Sequence, residues 1–407
     1  MKPLNVAVLI ETSGACGRGM LLGLADYMRG NGQWIIHRQE QSLMDRVPDW
    51  LRAWRGDGVL TRMENPEALD WIRNLKVPVV QIHDTPPFPD LPSVSANNGS
   101  IAGLVFEHFR ERGFRHFAFC GFHGAKGRDD RRDAFTRLVN KSGFHCHVFP
   151  GETRAAAAPT TSEAEAALLG YLTADDRELV VQWLTKLPKP IGLMACNDIR
   201  GQQLTWVCHS AGVAVPDEIA IIGVHNDDVL CELSTPALSS VASNARRAGH
   251  QAAVVLARVI AGERLPSRHV FVEPAGIVAR RSTETLAVED RQVATAVRFI
   301  HERACSGIAV RDVARAAAMS ERTLERRFAT IMGRSPGEEI LRVRINKAKQ
   351  LLAETDFSLN MIAEKTGFEY TEYISRIFKK KVGVTPGRFR TRSQNAAAAD
   401  KLASHEF

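Results

Sequence analysis

Apolar residues recur along the first 285 positions in two alternating rhythms. Short β-branched or apolar runs stand at Val6–Ile10, Trp34–His37, Gly58–Leu60, Val77–Ile82, His116–Cys120, Ile191–Ala195 and Ile219–Val224. Between them lie stretches with helical spacing, such as Gly19–Met28 and Ile101–Arg112. Strand, helix and strand repeated in this way predict parallel sheets with helices on both faces. A segment of about 280 residues is long for one such sheet, which predicts two α/β lobes. Their expected bounds are 1–112 with 241–265 for the first and 113–240 with 266–285 for the second. Gly151–Thr161 is Ala-rich and polar, the composition of a surface loop or a frayed helix start.

The β signal stops after Arg280-Arg281-Ser282-Thr283, and residues 286–393 read as an all-α domain. Helical breaks fall at Ser306-Gly307, Gly333–Pro336, Thr355–Ser358, Gly367 and Gly383–Pro386. This part contains a repeat. Arg326-Arg327-Phe328 is echoed by Arg376-Ile377-Phe378, and Gly333-Arg334-Ser335-Pro336 by Gly383-Val384-Thr385-Pro386. Two units are too few for a solenoid, so a paired recognition module is expected. Each unit reads as a helix-turn-helix. The first comprises Val310–Ala316, a turn at Ala317–Met319, and Ser320–Thr330; the second comprises Leu359–Lys365, Gly367 in the turn, and Tyr370–Lys380. Residues 394–407 are polar and Ala-rich, the composition of a flexible tail.

Composition fits a globular chain, with 44% hydrophobic and 24% charged residues among 407. Charge is more telling when divided. Residues 1–285 hold 31 basic and 31 acidic side chains, whereas residues 286–407 hold 22 and 15, the whole net +7. A basic excess confined to the helical module points to a polyanionic partner there. No apolar run approaches the ~18 residues of a membrane helix, and Met1-Lys2-Pro3 leads straight into a strand-like run, unlike a signal peptide. The seven cysteines include no C-x-x-C pair, which argues against a disulfide framework or zinc site and for a reducing cytoplasm. His145-Cys146-His147 alternates as a strand edge does. Gly17-Arg18-Gly19 with Gly23 does not match a dinucleotide loop, and there is no Walker loop or G-x-S-x-G elbow. No cofactor or metal is expected.

In the first unit Leu324 and Phe328, at i and i+4, are the expected core pair, and Ser320 is a good N-cap. That leaves Ser320, Glu321, Arg322, Glu325 and Arg326 facing outward. In the second unit Ile374 and Phe378 form the core pair, with Thr371, Glu372, Ser375, Arg376, Lys379 and Lys380 outward. Such a second helix enters the major groove, where Arg can make paired bonds to guanine. Lys379-Lys380-Lys381, Arg388, Arg390 and Arg392 suit phosphates, which position a protein without specifying sequence. Val310-x-x-Val313-Ala314 through Leu324-x-x-x-Phe328, then Ile362-Ala363, Gly367-Phe368, Phe378-Lys379-Lys380 and Gly383-x-x-Pro386-x-x-x-Arg390, resembles the AraC/XylS class of bacterial transcription regulators. That resemblance implies a long bridging helix, here about Pro336–Glu354. Ala318 stands where many relatives have a turn Gly; in a left-handed conformation it costs about 1–2 kcal/mol.

The neutral two-lobed part looks like the periplasmic-binding-protein fold that LacI/GalR repressors use as effector domain. The strings are Asp57-Gly58-Val59, Gly121…Arg131-x-x-Ala134-Phe135, Asn197-Asp198-x-Arg200, Gly223-Val224-x-Asn226-Asp227 and Leu238-Ser239-Ser240-Val241. The combination of both parts resembles the xylose operon regulators. Ligands in such folds lie where loops leave the carboxyl ends of strands, which nominates Glu11, Ser13, Arg18, Asn98, Arg131, Asn197, His225, Asn226 and Asp227. The resemblance matches Arg131 and Asn197 to side chains that hold sugar hydroxyls. It puts His225 where relatives have Asp, and an imidazole cannot take a carboxylate's paired bonds. The implied partners are double-stranded DNA, a monosaccharide effector such as D-xylose, and RNA polymerase for an activator, in a homodimer without membrane contact. Two readings stay open beside this one: a constitutive DNA-binding regulator with an altered or lost effector site, and a sugar-modifying α/β enzyme fused to a DNA-binding domain. The charge division makes its own prediction. A fragment of residues 286–407 should keep the salt dependence of DNA binding shown by the full chain, measured as the slope of log K against log salt. A much shallower slope in the fragment would put phosphate contacts in the first 285 residues.

Overall fold

The computed structural model describes residues 3–31, 34–83, 87–121, 130–150, 174–285, 287–288 and 290–391. The expected loop at 151–161 and tail at 394–407 lie outside these residues, as does Arg392. The chain divides into two compact units, one ending at Thr285 and the other beginning at Leu286 and including residues 111–113.

In the first unit, β1 (Leu4–Leu9), α1 (Ala15–Asn31), β2 (Trp34–His37), α2 (Asp49–Arg52), β3 (Gly58–Thr61), α3 (Pro66–Arg73), β4 (Val79–Ile82), β5 (Ser93–Ala96) and α4 (Asn98–Glu111) build the first lobe. The second lobe follows as β6 (His116–Cys120), α5 (Asp130–Lys141), β7 (Cys146–Val148), α6 (Ala174–Lys186), β8 (Ile191–Ala195), α7 (Asp198–Ser210), β9 (Ile219–Val224), α8 (Asp228–Leu233) and β10 (Ser239–Ala242). The chain then returns to the first lobe as α9 (Ala245–Ile260) and β11 (His269–Val272), and crosses again to β12 (Gly276–Val278). The first sheet has the order β11-β5-β4-β3-β1-β2, the second β12-β10-β9-β8-β6-β7. All pairings are parallel except β12 on β10.

β11 corrects one expectation. His269 lies opposite Ser93 of β5, so this strand completes the first sheet, although residues 266–285 were expected in the second lobe. Likewise β10 runs to Ala242 inside the second sheet, past the expected boundary at 240. Both strands are four residues long and carry no extended apolar run, so nothing in their pattern marks which sheet they join.

Strands read as continuous apolar runs are buried on both faces, as parallel sheets require; Val6, Ala7, Val8 and Leu9 are all fully buried. Over the first sheet lie α1 and α9, which approach so closely that two glycines are obligatory. A Cβ on Gly23 would stand 1.8 Å from the Arg246 carbonyl oxygen, and one on Gly249 1.9 Å from that of Met20. Gly17 is equally constrained, its missing Cβ falling 2.0 Å from the Glu11 carbonyl oxygen. The glycines that superficially suggested a nucleotide loop therefore serve packing.

In the second unit, α10 (Arg291–Arg303) precedes α11 (Val310–Ala316), α12 (Glu321–Met332), α13 (Pro336–Glu354), α14 (Leu359–Lys365) and α15 (Thr371–Val382). Two cores form, and α13 belongs to both. It gives Ile340 to the core of Val297, Val313, Leu324 and Phe328. It gives Ile345, Ala348 and Leu352 to the core of Ile362, Phe368, Ile374 and Phe378. Ser335 and Glu338 form a capping box with Pro336 at the first helical position, which sets where α13 starts. One turn in, the fully buried carboxylate of Glu339 is paired with Arg334 at 2.5 Å, Arg342 at 2.7 Å and His301 at 2.9 Å.

The α1–α9 contact is directly testable. Gly23→Ala should cost about 2–3 kcal/mol of stability through overpacking against backbone. Gly30→Ala on the same helix, where a Cβ meets nothing within 4 Å, should be neutral or slightly stabilising in the same urea titration. Equal effects would contradict this packing.

Candidate functional site

The nominated residues of the first unit sit at the carboxyl ends of both sheets, where the lobes face one another. Glu11 follows β1 and is buried; its Oε1 pairs with the Arg62 guanidinium, while its Oε2 has no hydrogen-bond partner. Burial holds this carboxyl above its ordinary range in spite of Arg62. Arg131, in the first turn of α5, is also buried. Its Nε donates across the lobes to Asn98 Oδ1 at 3.1 Å, and its Nη1 donates to the Cys196 carbonyl. Asn98 opens α4, so one bond ties the first helical turns of two elements from different lobes.

A second bond crosses further on. The Ala15 amide at the head of α1 donates to Asp227 Oδ2 at 2.8 Å. Asp227 also caps α8, accepting the Leu230 amide on Oδ1, and its own amide donates to Asp198 Oδ2 at 2.7 Å. Asp198 is almost wholly buried and accepts the Ser240 hydroxyl at 2.5 Å. Burial pushes its carboxyl up to about 7, although Ser240 and the Asp227 amide both donate to it. Gly223 makes room for this acid: a Cβ there would stand 2.2 Å from Asp198 Oδ1.

His225 and Asn226 are both left-handed, with φ of 103° and 52°, at a cost of about 1–3 kcal/mol each. Local bonds hold them there. The His225 amide donates to Val241 O at 2.8 Å, and its Nδ1 lies 3.1 Å from Ser243 Oγ. The Asn226 amide donates to Ser240 Oγ at 3.0 Å, and its Oδ1 accepts from Arg280 at 2.9 Å. Asn197 caps α7 by accepting the Arg200 amide at 2.9 Å.

Two nominated residues are placed differently. Arg18 is exposed and donates to the Thr12 and Ser13 carbonyls at 2.8 and 2.7 Å, bracing the β1–α1 loop, and the Ser13 side chain is exposed as well. Residues passed over as ligand candidates come closer to the lobes' shared face. Arg62, His83, Ser95 and Ser243 line a cavity of about 20 Å³ together with Cys16. Arg62 and His83 directly follow β3 and β4, so position at a strand's carboxyl end was the signal that could have found them. Among the described residues, no group of three or more His, Cys, Asp or Glu could hold a metal ion.

In the helical unit, Ser320 caps α12 by accepting the Thr323 amide, and Glu321, Arg322, Glu325 and Arg326 are exposed on its outer face. Arg327 turns aside to Asp290 and Gln292, fastening α12 to the start of α10. On α15, Glu372, Arg376, Lys379 and Lys380 are exposed, while Thr371 and Ser375 are half-buried. Tyr370, the residue before this helix, and Tyr373 on it are also exposed, and neither was nominated. Ala318 has φ of 52°, the left-handed turn its position implied.

Residues 106–283 match the periplasmic binding protein-like domain family, and residues 313–392 match the helix-turn-helix domain family. Fold and motifs thus define a two-part, DNA-binding transcription regulator with an AraC-type module behind a periplasmic-binding-protein-like domain. The similarity continues through the whole chain. It is 29% identical over 396 residues to the xylose operon regulatory protein of Escherichia coli (strain K12), covering 95% of this chain and 96% of that one. The Haemophilus influenzae protein of the same name is 25% identical over 394 residues, covering 95% and 98%. The solved structure of a xylose-binding transcription activator matches with a TM-score of 0.57 at 27% identity, covering 96% and 98%. A transcriptional regulator solved with cellobiose shares the fold, with a TM-score of 0.51 at 17% identity over 68% of this chain and 84% of its own. Along its whole length, then, the chain is similar to xylose operon regulatory proteins. No described helix is long and apolar enough to cross a membrane.

The buried acid gives a pH prediction. Asp198 is raised from 3.8 to about 7 in the folded state, so the fold retains a proton there that the unfolded chain releases. This group therefore stabilises the fold less as pH rises from about 4 to about 7. Urea midpoints of wild type and Asp198→Asn, measured across that window, should converge on raising the pH if the variant begins less stable. Parallel curves would contradict an ionisable, protonated Asp198.

Proposed function

We propose that this protein is a cytoplasmic, sugar-responsive activator of pentose catabolic genes, with D-xylose or a close relative as effector between the lobes. The observation that carries the reading is the gathering of Glu11, Asn98, Arg131 and Asp227 at one face between two lobes, in a chain similar end to end to xylose operon regulators. A pentose offers hydroxyls on every carbon. The half-satisfied Glu11 carboxylate can accept from such a hydroxyl, and Arg131 can donate to one in a fork. Arg62 and His83 line the small cavity at the strand ends of the first lobe, and Asn197 caps the helix that follows β8. His225 contributes a single imidazole nitrogen where a carboxylate would take paired bonds.

In this account the sugar enters between the lobes and takes over polar groups that otherwise bond one another. It shifts the protein toward the arrangement that binds it better, by no more than its differential affinity for the two. In a homodimer this sets the spacing of two DNA-binding modules on repeated half-sites, from which RNA polymerase can be engaged. Outward residues of α12 and α15 read bases, and Lys379 and Lys380 hold phosphate.

A thermal-shift series over pentoses and hexoses tests the effector. At a hundredfold excess over Kd, D-xylose should stabilise the wild type by about 2.7 kcal/mol, seen as a raised Tm, and Arg131→Ala should abolish the shift. A wild type unmoved by every sugar would leave a regulator whose cleft takes none of them.

A further inference from the structure

Tyr373 raises the question of what an exposed aromatic does on a helix whose outer face otherwise presents charges. Tyr373 is 41% exposed, yet its ring is not loose. On its inner side it meets Phe368, ring centroids 5.9 Å apart and planes tilted by 57°. On its outer side the Arg376 guanidinium lies over it at 5.6 Å. Phe368 is itself buried and carries a second guanidinium, that of Arg344, at 5.9 Å. The four side chains make one ladder, two adjacent rings with a guanidinium at each end.

The inner end of the ladder is anchored. Arg344 projects from α13 and donates through Nε to the Ala304 carbonyl at 2.8 Å and through Nη2 to the Ile308 carbonyl at 2.9 Å. Those carbonyls belong to the segment that leads into the first helix-turn-helix. The turn of the second unit rests on the same segment: Gly367 has φ of 71°, and a Cβ there would stand 2.9 Å from the Cys305 carbonyl oxygen. The half-buried Arg344 of α13 is thus connected, through two rings, to the exposed guanidinium of Arg376 on α15.

Stacking on an aromatic face restrains an Arg in a way that leaves the edge of the guanidinium, with its N–H fork, open to a partner. Arg is flexible, and the rotamers it surrenders on binding weaken a base contact. A guanidinium already laid on a ring has surrendered part of that freedom beforehand.

We propose that Tyr373 is a positioning residue for DNA recognition: the Arg344–Phe368–Tyr373 ladder pre-orients Arg376, and so sharpens base discrimination by the second helix-turn-helix without itself reading a base. The inference rests on the reading that Arg376 contacts a base, and deepens it. Loss of the ring should weaken discrimination roughly three- to fivefold at the base positions served by Arg376. Positions read by α12, and the salt slope set by Lys379 and Lys380, should not move.

The test is selection of full-length protein on a random-sequence double-stranded DNA library, with and without D-xylose, followed by affinities for single-base variants of the selected site. Wild type, Arg376→Ala, Tyr373→Leu, Tyr373→Phe and the Arg376→Ala/Tyr373→Leu double variant are compared. Arg376→Ala should flatten preference at one or two positions, and Tyr373→Leu should weaken it at the same positions. The double variant should be no worse than Arg376→Ala, and Tyr373→Phe should restore the wild-type profile. Arg344→Gln gives a second route, because it releases the ladder's inner end far from any base. An Arg376→Ala profile identical to wild type removes the base-reading role and overturns both reading and inference. A flattened Arg376→Ala beside an unchanged Tyr373→Leu overturns the inference alone. So does Tyr373→Phe behaving like Tyr373→Leu, which would make the hydroxyl a direct contact.

Discussion

The bond from the Ala15 amide to the Asp227 carboxylate joins residues 212 positions apart and is the hinge of the first unit's organisation. Its strength comes from both ends. Ala15 opens a helix of seventeen residues, whose unpaired amides and dipole favour a negative charge at that point. Asp227 is held by the Asp198 carboxylate through its own amide and caps α8 with its other oxygen. Neither partner can move alone. α1 is locked to α9 at Gly23 and Gly249, and α9 is the element by which the chain returns from the second lobe. A ligand that competes for these groups therefore acts on two lobes through one helix pair.

Asp198 is the hidden member of this arrangement. A buried acid beside a second acid is costly unless it keeps its proton or its hydrogen bonds. Here the hydrogen bonds are in place, with the Ser240 hydroxyl on one oxygen and a backbone amide on the other, and burial raises the carboxyl to about 7. The helical unit solves a related problem at Glu339, where a fully buried carboxylate is met by two guanidinium groups and the His301 imidazole. Such a cluster contributes little net stability after desolvation, and removing one partner is far more damaging than replacing all of them. Its position one turn into α13 orients the helix that both cores share.

The helical unit was highly legible in the sequence because its punctuation and its periodicity agree. Ser320, Ser335 and Ser358 each cap a helix, Gly333 and Gly383 each end one in the left-handed conformation, and the expected Pro336–Glu354, Val310–Ala316 and Leu359–Lys365 are the observed bounds. The strands with Val and Ile runs were legible for the same reason. Ser93–Ala96 and His269–Val272 were not, because what joins them includes a specific side-chain pair: Ser93 Oγ lies 2.7 Å from His269 Nδ1, a contact that no local pattern announces. Among the nominated residues, Glu11, Arg131 and Asp227 are buried and hydrogen-bonded where the lobes face one another. The nomination passed over Arg62, which reads as an ordinary surface charge until Glu11 is seen beside it. It favoured Arg18, whose partners are the carbonyls of its own loop.

The central claim is that sugar and DNA act on one equilibrium from separate sites, and linkage makes that claim measurable from either side. Calorimetric titration of D-xylose into full-length protein, alone and saturated with a selected DNA duplex, tests it most directly. The account predicts that the Kd for D-xylose differs between the two by the same factor by which D-xylose changes the Kd for the duplex. An identical Kd for D-xylose with and without bound DNA would contradict it.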